Sequence, residues 1–247
     1  MKIFLKSILN FVLNPFLSRL KNKNLESLDK SIILNAKKLI NSQKNLSGTI
    51  NEYEFSAFSQ WGEDGIINFL IQNLDIKSKN FIEFGVENYL ESNTRFLLIN
   101  RNWSGLIMDM DKKNIFEIKN HYYYWRHDLK AVTAKITAEN INDLLEKNGF
   151  KKPIGLLSID IDGNDFWVWK NLDILDPDIV VIEYNYRFGS EKSLTIPYNP
   201  NFSRKMAHSS MVYYGASLKA LVKLAEKKGM KLVATNLAGN NAFFVKE

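Results

Sequence analysis

Residues 230–247, MKLVATNLAGNNAFFVKE, decide which kind of α/β protein this sequence can form. Two apolar runs, MKLVATN and NAFFVKE, are separated by the short connection LAGN. A parallel crossover needs about a dozen residues or more, so this connection predicts an antiparallel hairpin. The preceding segment, SLKALVKLAEKKG (217–229), has the period of an amphipathic helix and ends at Gly229, a residue type common just after helix C-termini.

Upstream of the hairpin, short apolar runs alternate with helical patterns. The predicted strands are NFIEFG (80–85), SGLIMDM (104–110), HYYYWRH (121–127), PIGLLSIDI (153–161) and DIVVIEYN (178–185). The predicted helices between them cover 64–74, 92–100, the residues after Asp111, 138–148 and 165–172. Runs such as GLLSI and IVVIE are apolar throughout, which indicates strands buried on both faces of a parallel sheet.

The whole layout is five parallel strands, a helix and a closing antiparallel hairpin. It looks like the mostly parallel, seven-stranded, Rossmann-like sheet of class I S-adenosylmethionine-dependent methyltransferases, here preceded by N-terminal helices. An ordinary dinucleotide-binding fold lacks the closing hairpin, and its G-x-G-x-x-G fingerprint is absent after the first strand. The predicted fold class is therefore α/β with the class I methyltransferase topology.

The formal net charge of +6 is concentrated in residues 1–50, which hold nine lysines and arginines against two acidic residues. This segment contributes +7, which leaves the rest of the chain at −1. A nearly neutral main domain argues against nucleic-acid binding, which depends on clustered basic side chains. The chain contains no cysteine, so disulfide bonds, thiolate metal sites and cysteine nucleophiles are excluded.

The basic residues 1–50 are predicted to form an amphipathic helical arm ahead of a methyltransferase domain at 51–247. On a helix, one side would carry Phe4, Ile8, Phe11, Val12 and Phe16, and the other Lys2, Lys6, Asn10 and Asn14. The apolar stretch is interrupted by polar residues and falls short of the ~20 residues that a membrane span needs. Two interpretations stay open: a cytoplasmic protein whose arm touches anionic lipid at the inner face of the membrane, or a helix packed on the domain or on a second subunit of a homo-oligomer.

Candidate cofactor residues lie at the predicted strand ends, where open α/β sheets bind their ligands. Gly85 would let a ligand approach the backbone after the first strand, and Glu83 could either accept a hydrogen bond from an ammonium group or tune the turn. Asp109 ends the second strand, where an acidic side chain can accept both hydroxyls of a ribose, although Asp111 competes for that role or caps the next helix. Asp128, after the third predicted strand, either holds an adenine amino group or acts as a cap.

The acidic stretch SIDIDGND (158–165) follows the fourth strand and has several interpretations. It is not a calcium loop of the EF-hand kind, because the register would put Asp165 where glycine is needed and Asn171 where glutamate is needed. Asp160 and Asp162 can form a D-x-D clamp for the cation of a nucleotide sugar. Alternatively, Asp160 joins Glu183 and Asn185 of the next strand as oxygen ligands for Mg²⁺.

Capping and base roles are the further alternatives for these polar residues. Asp162 and Asp165 can cap the next helix, and Glu183 can pair with a basic side chain. Asp160 is also a candidate general base, as is His208 in MAHSSMVYYGAS (206–217).

Six segments together carry a family resemblance over about residues 53–247: FSQWGEDGII, FIEFGVENYLESNT, GLIMD, LLSIDIDGNDFWVW, VIEYN and the closing helix with its hairpin. They resemble the FkbM-like S-adenosylmethionine-dependent methyltransferases. The resemblance implies methyl transfer, often to a hydroxyl of a sugar or a secondary metabolite, with a small-molecule or glycan acceptor. By position, it implies that Glu83, Gly85 and Asp109 hold S-adenosylmethionine and that Asp160 lines the acceptor site.

The sequence departs from the usual methyltransferase pattern at Asn88 and Tyr89, where a second glycine would be expected. Metal-dependent O-methyltransferases of the catechol type place their Mg²⁺ ligands at the ends of strands four and five, where Asp160, Glu183 and Asn185 are similarly placed. Two other functions are weighed against O-methylation: a D-x-D glycosyltransferase, and a non-catalytic scaffold that keeps the fold and docks at a membrane through the arm.

Overall fold

The computed structural model describes residues 2–43, 46, 48–151 and 153–247, and it describes side chains from residue 20 onward with the exception of Lys21. The helices are α1 (Lys2–Ser42), α2 (Glu63–Asn73), α3 (Arg95–Arg101), α4 (Lys112–Lys119), α5 (Tyr122–Arg126), α6 (Ile141–Lys147), α7 (Asp165–Asn171), α8 (Arg204–Ala207) and α9 (Leu218–Lys227). The strands are β1 (Asn80–Phe84), β2 (Ser104–Asp109), β3 (Leu129–Thr133), β4 (Ile154–Ile159), β5 (Pro177–Glu183), β6 (Met230–Thr235) and β7 (Asn241–Lys246). Short 3₁₀ helices cover Ile50–Tyr53 and Tyr186–Phe188.

The seven strands form one sheet in the order β3-β2-β1-β4-β5-β7-β6. Strands β1 to β5 are parallel, and β7 pairs antiparallel with both β5 and β6. The hairpin predicted at 230–247 and the mostly parallel sheet are therefore confirmed. This order puts the carboxyl ends of β1, β2, β4 and β5 beside one another at a single edge.

Alternating side chains divide the core into two apolar layers, one on each face of the sheet. Ile82 and Phe84 of β1 belong to one layer, with Trp169 of α7 and Leu221 of α9. Phe81 of β1 belongs to the other layer, which includes side chains of α2, α3, α4 and α5. Helices thus cover both faces, as the continuously apolar strands indicated.

The strand predicted at 121–127 is wrong. The residues form α5, and the third strand is Leu129–Thr133. Tyr122 and Tyr123 are both buried, and the ring of His121 stacks on that of Tyr123 at 4.1 Å. Aromatic residues favour strands on average, but here packing of one helical turn against α1 and α4 decides the conformation.

The other strand predictions agree with the structure to within two residues at each end. The helices predicted at 92–100 and 138–148 both begin three residues later than predicted, at Arg95 and Ile141. In the first case the residues before Arg95 form a loop around the buried carboxylate of Glu83.

The N-terminal helices expected from the sequence are one continuous helix, α1, which ends at Ser42. Its second half packs on the domain: Ala36 is buried against Phe55, Phe58 and Phe96. The amphipathic pattern predicted from Phe4, Ile8, Phe11, Val12, Phe16, Lys2, Lys6, Asn10 and Asn14 lies outside the residues whose side chains are described. Among the described residues, no helix is both long enough and apolar enough to cross a membrane.

Candidate functional site at the carboxyl edge of the sheet

A cavity of about 960 Å³ lies over the carboxyl ends of β1, β2, β4 and β5. Its walls include most of the residues predicted from the sequence: Glu83, Gly85, Asp109, Asp160, Asp162 and Glu183. Loop residues 87, 88 and 90–93 and part of the segment between β5 and α9 contribute to the rest of the lining. Side chains far apart in the sequence therefore meet in one site because the strand order brings their strand ends together.

The carboxylate of Glu83 organises the loop after β1. Its Oε1 accepts the Asn93 N–H at 2.9 Å, and its Oε2 accepts the hydroxyls of Ser92 at 2.6 Å and Thr94 at 2.5 Å. Burial raises the pKa of Glu83 above its usual value, against these hydrogen bonds. Glu83 thus holds the loop after β1 in place, which is the turn role that the sequence allowed for it.

Gly85 is required by the packing of two loops against each other. Its φ is +75°, and a Cβ placed on it would lie 1.6 Å from the carbonyl oxygen of Asp160. Its N–H donates to the carbonyl of Met108 at 2.9 Å. The glycine therefore joins the ends of β1, β2 and β4 in addition to lining the cavity.

Asp109 is buried at the end of β2 and fixes the backbone around it. Its Oδ2 accepts the Glu87 N–H at 2.8 Å, and its Oδ1 accepts the Asp111 N–H at 2.7 Å. Asp111 caps α4 by accepting the Lys113 N–H at 2.7 Å. Of the two competing aspartates, Asp111 is the helix cap, and Asp109 is the one held in the cavity wall.

The acidic cluster consists of Asp160, Asp162 and Glu183, whose carboxylate oxygens lie within 4.8 Å of one another. Burial, with the neighbouring carboxylates of Asp165 and Asp162, raises the pKa of Asp160 well above its usual value. Burial and the charge of Asp160 do the same to the pKa of Glu183. The cluster therefore attracts protons or a cation more strongly than isolated carboxylates do.

Asp165 begins α7 and holds the turn that carries the cluster. Its two oxygens accept the backbone N–H groups of Ile161 at 2.7 Å and Gly163 at 2.9 Å. This is the helix-starting role that the sequence allowed for it, while Asp162 turns toward Glu183 and the cavity.

The side chain of Asn185 is engaged by the backbone around it. Its Oδ1 accepts the Arg187 N–H at 3.1 Å, and its Nδ2 donates to the carbonyls of Val212 and Tyr214 at 2.8 and 3.0 Å. The amide thus ties down the segment after β5, and the third oxygen of the cluster comes from Asp162. Asp160, Asp162 and Glu183 are therefore the acidic residues that the fold brings together, and the set of Asp160, Glu183 and Asn185 stays a prediction.

Two further predicted residues lie away from the cavity. Asp128 comes before β3 and not after it, so it is exposed at the opposite edge of the sheet from Gly85 and Asp109. The prediction that it ends a strand was wrong for the same reason as the strand itself. His208 is exposed after α8, where its Nδ1 lies 2.6 Å from the Ser210 hydroxyl, and it is not among the residues that line the cavity.

Sequence reasoning missed Arg204, which lies on the long segment between β5 and α9. We call residues 186–216 the strap. The Arg204 Nη1 lies 2.6 Å from Asp162 Oδ1 and 3.6 Å from Glu183 Oε1. The sequence allowed Glu183 to pair with a basic side chain. However, no periodic pattern in the strap indicated that Arg204 would supply it.

A family model described as "Methyltransferase FkbM domain" matches residues 40–213 of the chain. The chain belongs to the FkbM methyltransferase family. The FkbM match spans the acidic cluster, Gly85, Asp109 and Arg204, whereas the closing hairpin lies beyond it. The resemblance noted in the sequence is therefore confirmed, and the fold and family are those of an S-adenosylmethionine-dependent methyltransferase.

Solved structures similar to this FkbM protein include a putative caffeoyl-CoA O-methyltransferase from Staphylococcus aureus, at 16% identity and a TM-score of 0.49, covering 87% of this chain and 100% of that one. An O-methyltransferase from Bacillus cereus in complex with SAH matches at 13% identity and a TM-score of 0.44, covering 88% and 91% of the two chains. In a sequence comparison, none of the curated proteins matched the chain. We therefore base the function proposed below on the family match and on the geometry of the cavity.

Proposed function

We propose that this protein is an S-adenosylmethionine-dependent O-methyltransferase that acts on a hydroxyl of a sugar, a glycan or a secondary metabolite. The observation that supports this most is the shared cavity of Asp109 and Asp160, at the ends of β2 and β4, in a member of a methyltransferase family. The carboxylate of Asp109 can accept hydrogen bonds from ribose hydroxyls, and the carboxylate of Asp160 can accept the proton of the acceptor hydroxyl. The remaining lining is rich in amides and carboxylates, which suits a polar, hydroxylated acceptor: Gln60, Glu91, Asn93, Asn240 and Asn241.

The cofactor side of the cavity would be formed by Gly85, Asp109 and the loop that Glu83 holds. When bound, S-adenosylmethionine would supply a methyl group on a positively charged sulfur for transfer to the acceptor oxygen. Asp109 would orient the ribose mainly through Oδ2, which accepts the Glu87 N–H and keeps a second lone pair, since Oδ1 already accepts from the Asp111 N–H and from Asn114 Nδ2 at 3.3 Å. Glu83 would act through the loop by keeping residues 92–94 in place.

Asp160 is the proposed general base. The acceptor hydroxyl must lose its proton as the oxygen is methylated, and a carboxylate with a raised pKa is a stronger proton acceptor than an exposed one. The neighbouring carboxylates that raise this pKa also keep the proton on the cluster after transfer. No step requires His208, which lies on the exposed part of the strap.

Magnesium fits the residues of the cluster only in part. Three carboxylates within 4.8 Å are a suitable donor set for a divalent cation, which would lower the pKa of the acceptor hydroxyl. However, the amide of Asn185 is engaged elsewhere, and the guanidinium of Arg204 lies between two of the three carboxylates. We derive no catalytic step through a metal.

The family match argues against the D-x-D glycosyltransferase alternative, because Asp160 and Asp162 lie in a methyltransferase domain. The scaffold alternative predicts no turnover with any acceptor. Peripheral contact with a membrane and assembly into a homo-oligomer remain predictions about residues 1–50.

The substitution Asp160→Asn tests the assignment of the base. We expect turnover, measured as S-adenosylhomocysteine formed with a panel of sugars, glycans and hydroxylated small molecules, to fall about 10²–10⁴-fold while cofactor affinity is retained. His208→Ala is the matched control, since it removes the other candidate base, and it should keep wild-type turnover. Full activity of Asp160→Asn, or a loss in His208→Ala instead, would contradict the proposal.

A further inference from the structure

Arg204 is fixed on several sides at once. Its Nη1 reaches Asp162 and Glu183, its Nε donates to the Met211 carbonyl at 2.7 Å, and its guanidinium lies 3.6 Å above the ring centroid of Tyr214. Only 24% of its side chain is exposed. A side chain held in this way is a placed cation and not a mobile surface charge, because the fork of the guanidinium and its flat face are both in use.

The strap that carries Arg204 is itself anchored to the turn that carries the acidic cluster. Phe202 packs on Gly163, where a Cβ would lie 2.4 Å from the ring. Asn164 donates to the carbonyl of Asn199 at 2.8 Å, and Trp167 donates to the carbonyl of Ile196 at 2.9 Å. Arg204 therefore approaches the cluster in a defined geometry set by α7 and the turn before it.

The role of Arg204 follows from the charges of the acidic cluster of Asp160, Asp162 and Glu183. Within the described residues, Glu183 Oε2 is buried without a hydrogen-bond partner, and Glu183 Oε1 has the Arg204 guanidinium at 3.6 Å. Without a cation, three carboxylates this close would repel one another strongly in a partly desolvated site. A divalent ion placed among the same oxygens would in turn be repelled by the guanidinium.

We propose that Arg204 is the resident cation of the acidic cluster and takes the place that a divalent metal would otherwise fill. This inference rests on the proposed function only in treating the cavity as the reaction site. It assigns Arg204 as a positioning residue: it balances Asp162 and Glu183 and leaves Asp160 as the carboxylate that accepts the proton. It also explains why the acidic residues of SIDIDGND need not indicate a metalloenzyme.

Titration of the metal-free protein with Mn²⁺ alone tests the proposal that Arg204 replaces a metal. Binding is monitored through the electron paramagnetic resonance signal of the free ion. We expect the wild type to show no saturable site at submillimolar Mn²⁺. Arg204→Gln should gain one site per chain, with affinity raised at least about tenfold by removal of the like charge. Arg187→Gln is the matched control, because Arg187 lies on the same strap but over the ring of Tyr186, and it should behave as the wild type.

Two outcomes would overturn the inference. One is a saturable, stoichiometric Mn²⁺ site in the wild type at submillimolar Mn²⁺, and this measurement needs no variant to fold. The other is a folded Arg204→Gln, with normal hydrogen-exchange protection in β4 and β5, that gains no site. Arg204→Lys keeps a charge at this position and should still exclude Mn²⁺. Because neither S-adenosylmethionine nor turnover enters the experiment, its failure is separate from a failure of the proposed methyltransferase activity.

Discussion

At the scale of single residues, Asp64 shows how a buried carboxylate couples stability to pH. Its Oδ2 accepts the N–H groups of Ala57, Phe58 and Ser59 at 2.8, 2.6 and 2.8 Å, whereas its Oδ1 is buried without a partner in the described part of the chain. Burial outweighs the backbone hydrogen bonds and raises the pKa of Asp64 to about 6. The folded state therefore holds a proton that the unfolded chain releases at lower pH.

The direction in which pH changes the stability contributed by Asp64 can be measured with Asp64→Asn. This variant keeps an oxygen for the three N–H groups and does not titrate. The favourable contribution of protonated Asp64 is complete below about pH 4 and is lost as the pH rises through about 6. The unfolding free energy of the variant should therefore increase relative to that of the wild type between pH 4 and 7, by at most about 3 kcal/mol. Urea unfolding at each pH measures these free energies, and Asp75→Asn at an exposed position is the control. A gain in the relative stability of the wild type over this pH range would contradict the prediction.

Tyr89 explains a departure from the family pattern that sequence reasoning alone could not interpret. It has a φ of +62° where a glycine was expected, and its ring is completely buried. Its hydroxyl lies 2.8 Å from that of Thr94, which in turn bonds to Glu83. A left-handed tyrosine costs about 1–3 kcal/mol of backbone strain, which burial of the ring offsets. The missing glycine therefore does not indicate a lost loop conformation.

The roles of Asp162 and Asn185 could not be predicted from their positions either. Both follow strands and both carry side-chain oxygens, so the sequence allowed either of them to join Asp160. The difference lies in contacts across long sequence separations: Asn185 is bonded to Val212 and Tyr214, and Asp162 is paired with Arg204. Spacing indicates which strand end a residue follows but not which of its atoms remain available.

At the scale of elements, most strands could be predicted because apolar runs buried on both faces have few alternatives. The third strand was misplaced because LKAVT at 129–133 is short and alternates exposed and buried residues, while the aromatic run before it is more hydrophobic. Tyr122 of that run donates to Asp29 of α1 at 2.5 Å. The helical conformation of α5 thus depends on a partner more than ninety residues away, which no local pattern shows.

The contact between α1 and the domain centres on a buried ion pair. Arg95 at the start of α3 donates to Asp29 at 2.7 Å, and both side chains are 4% exposed. Arg95 also donates to the Leu90 carbonyl at 3.1 Å, and Leu90 lines the cavity. Helix α1 is therefore connected to the loop that forms the cofactor side of the site.

Breaking this pair should destabilise the protein strongly. Asp29→Asn leaves the Arg95 charge buried, and we expect a loss of about 3–5 kcal/mol in unfolding free energy. Glu26→Gln on the same helix is the control: Glu26 pairs with Arg126 and Lys30 near the surface, where ion pairs contribute little. Equal effects of the two substitutions in urea unfolding would contradict a structural role for α1.

At the scale of the whole molecule, the site exists because of the strand order. Glu83, Asp109, Asp160 and Glu183 come from β1, β2, β4 and β5 or the residues just after them, and these strands are brought to one edge by the parallel arrangement. This much followed from the sequence, since ligands of open α/β sheets lie beyond the strand ends. The position of Arg204 could not be predicted from the sequence, because the strap has little regular structure and its path is fixed by contacts with α7 and Asn185.

The central claim is that this cavity binds the methyl donor with Asp109 on the ribose, and calorimetric titration with S-adenosylhomocysteine tests it most directly. We expect one site per chain with micromolar affinity, unchanged by EDTA. Asp109→Asn should weaken binding at least about tenfold, which is the loss of one charge-assisted hydrogen bond, whereas Asp111→Asn at the cap of α4 should not. An absence of binding to the wild type, or wild-type affinity in Asp109→Asn, would contradict the account.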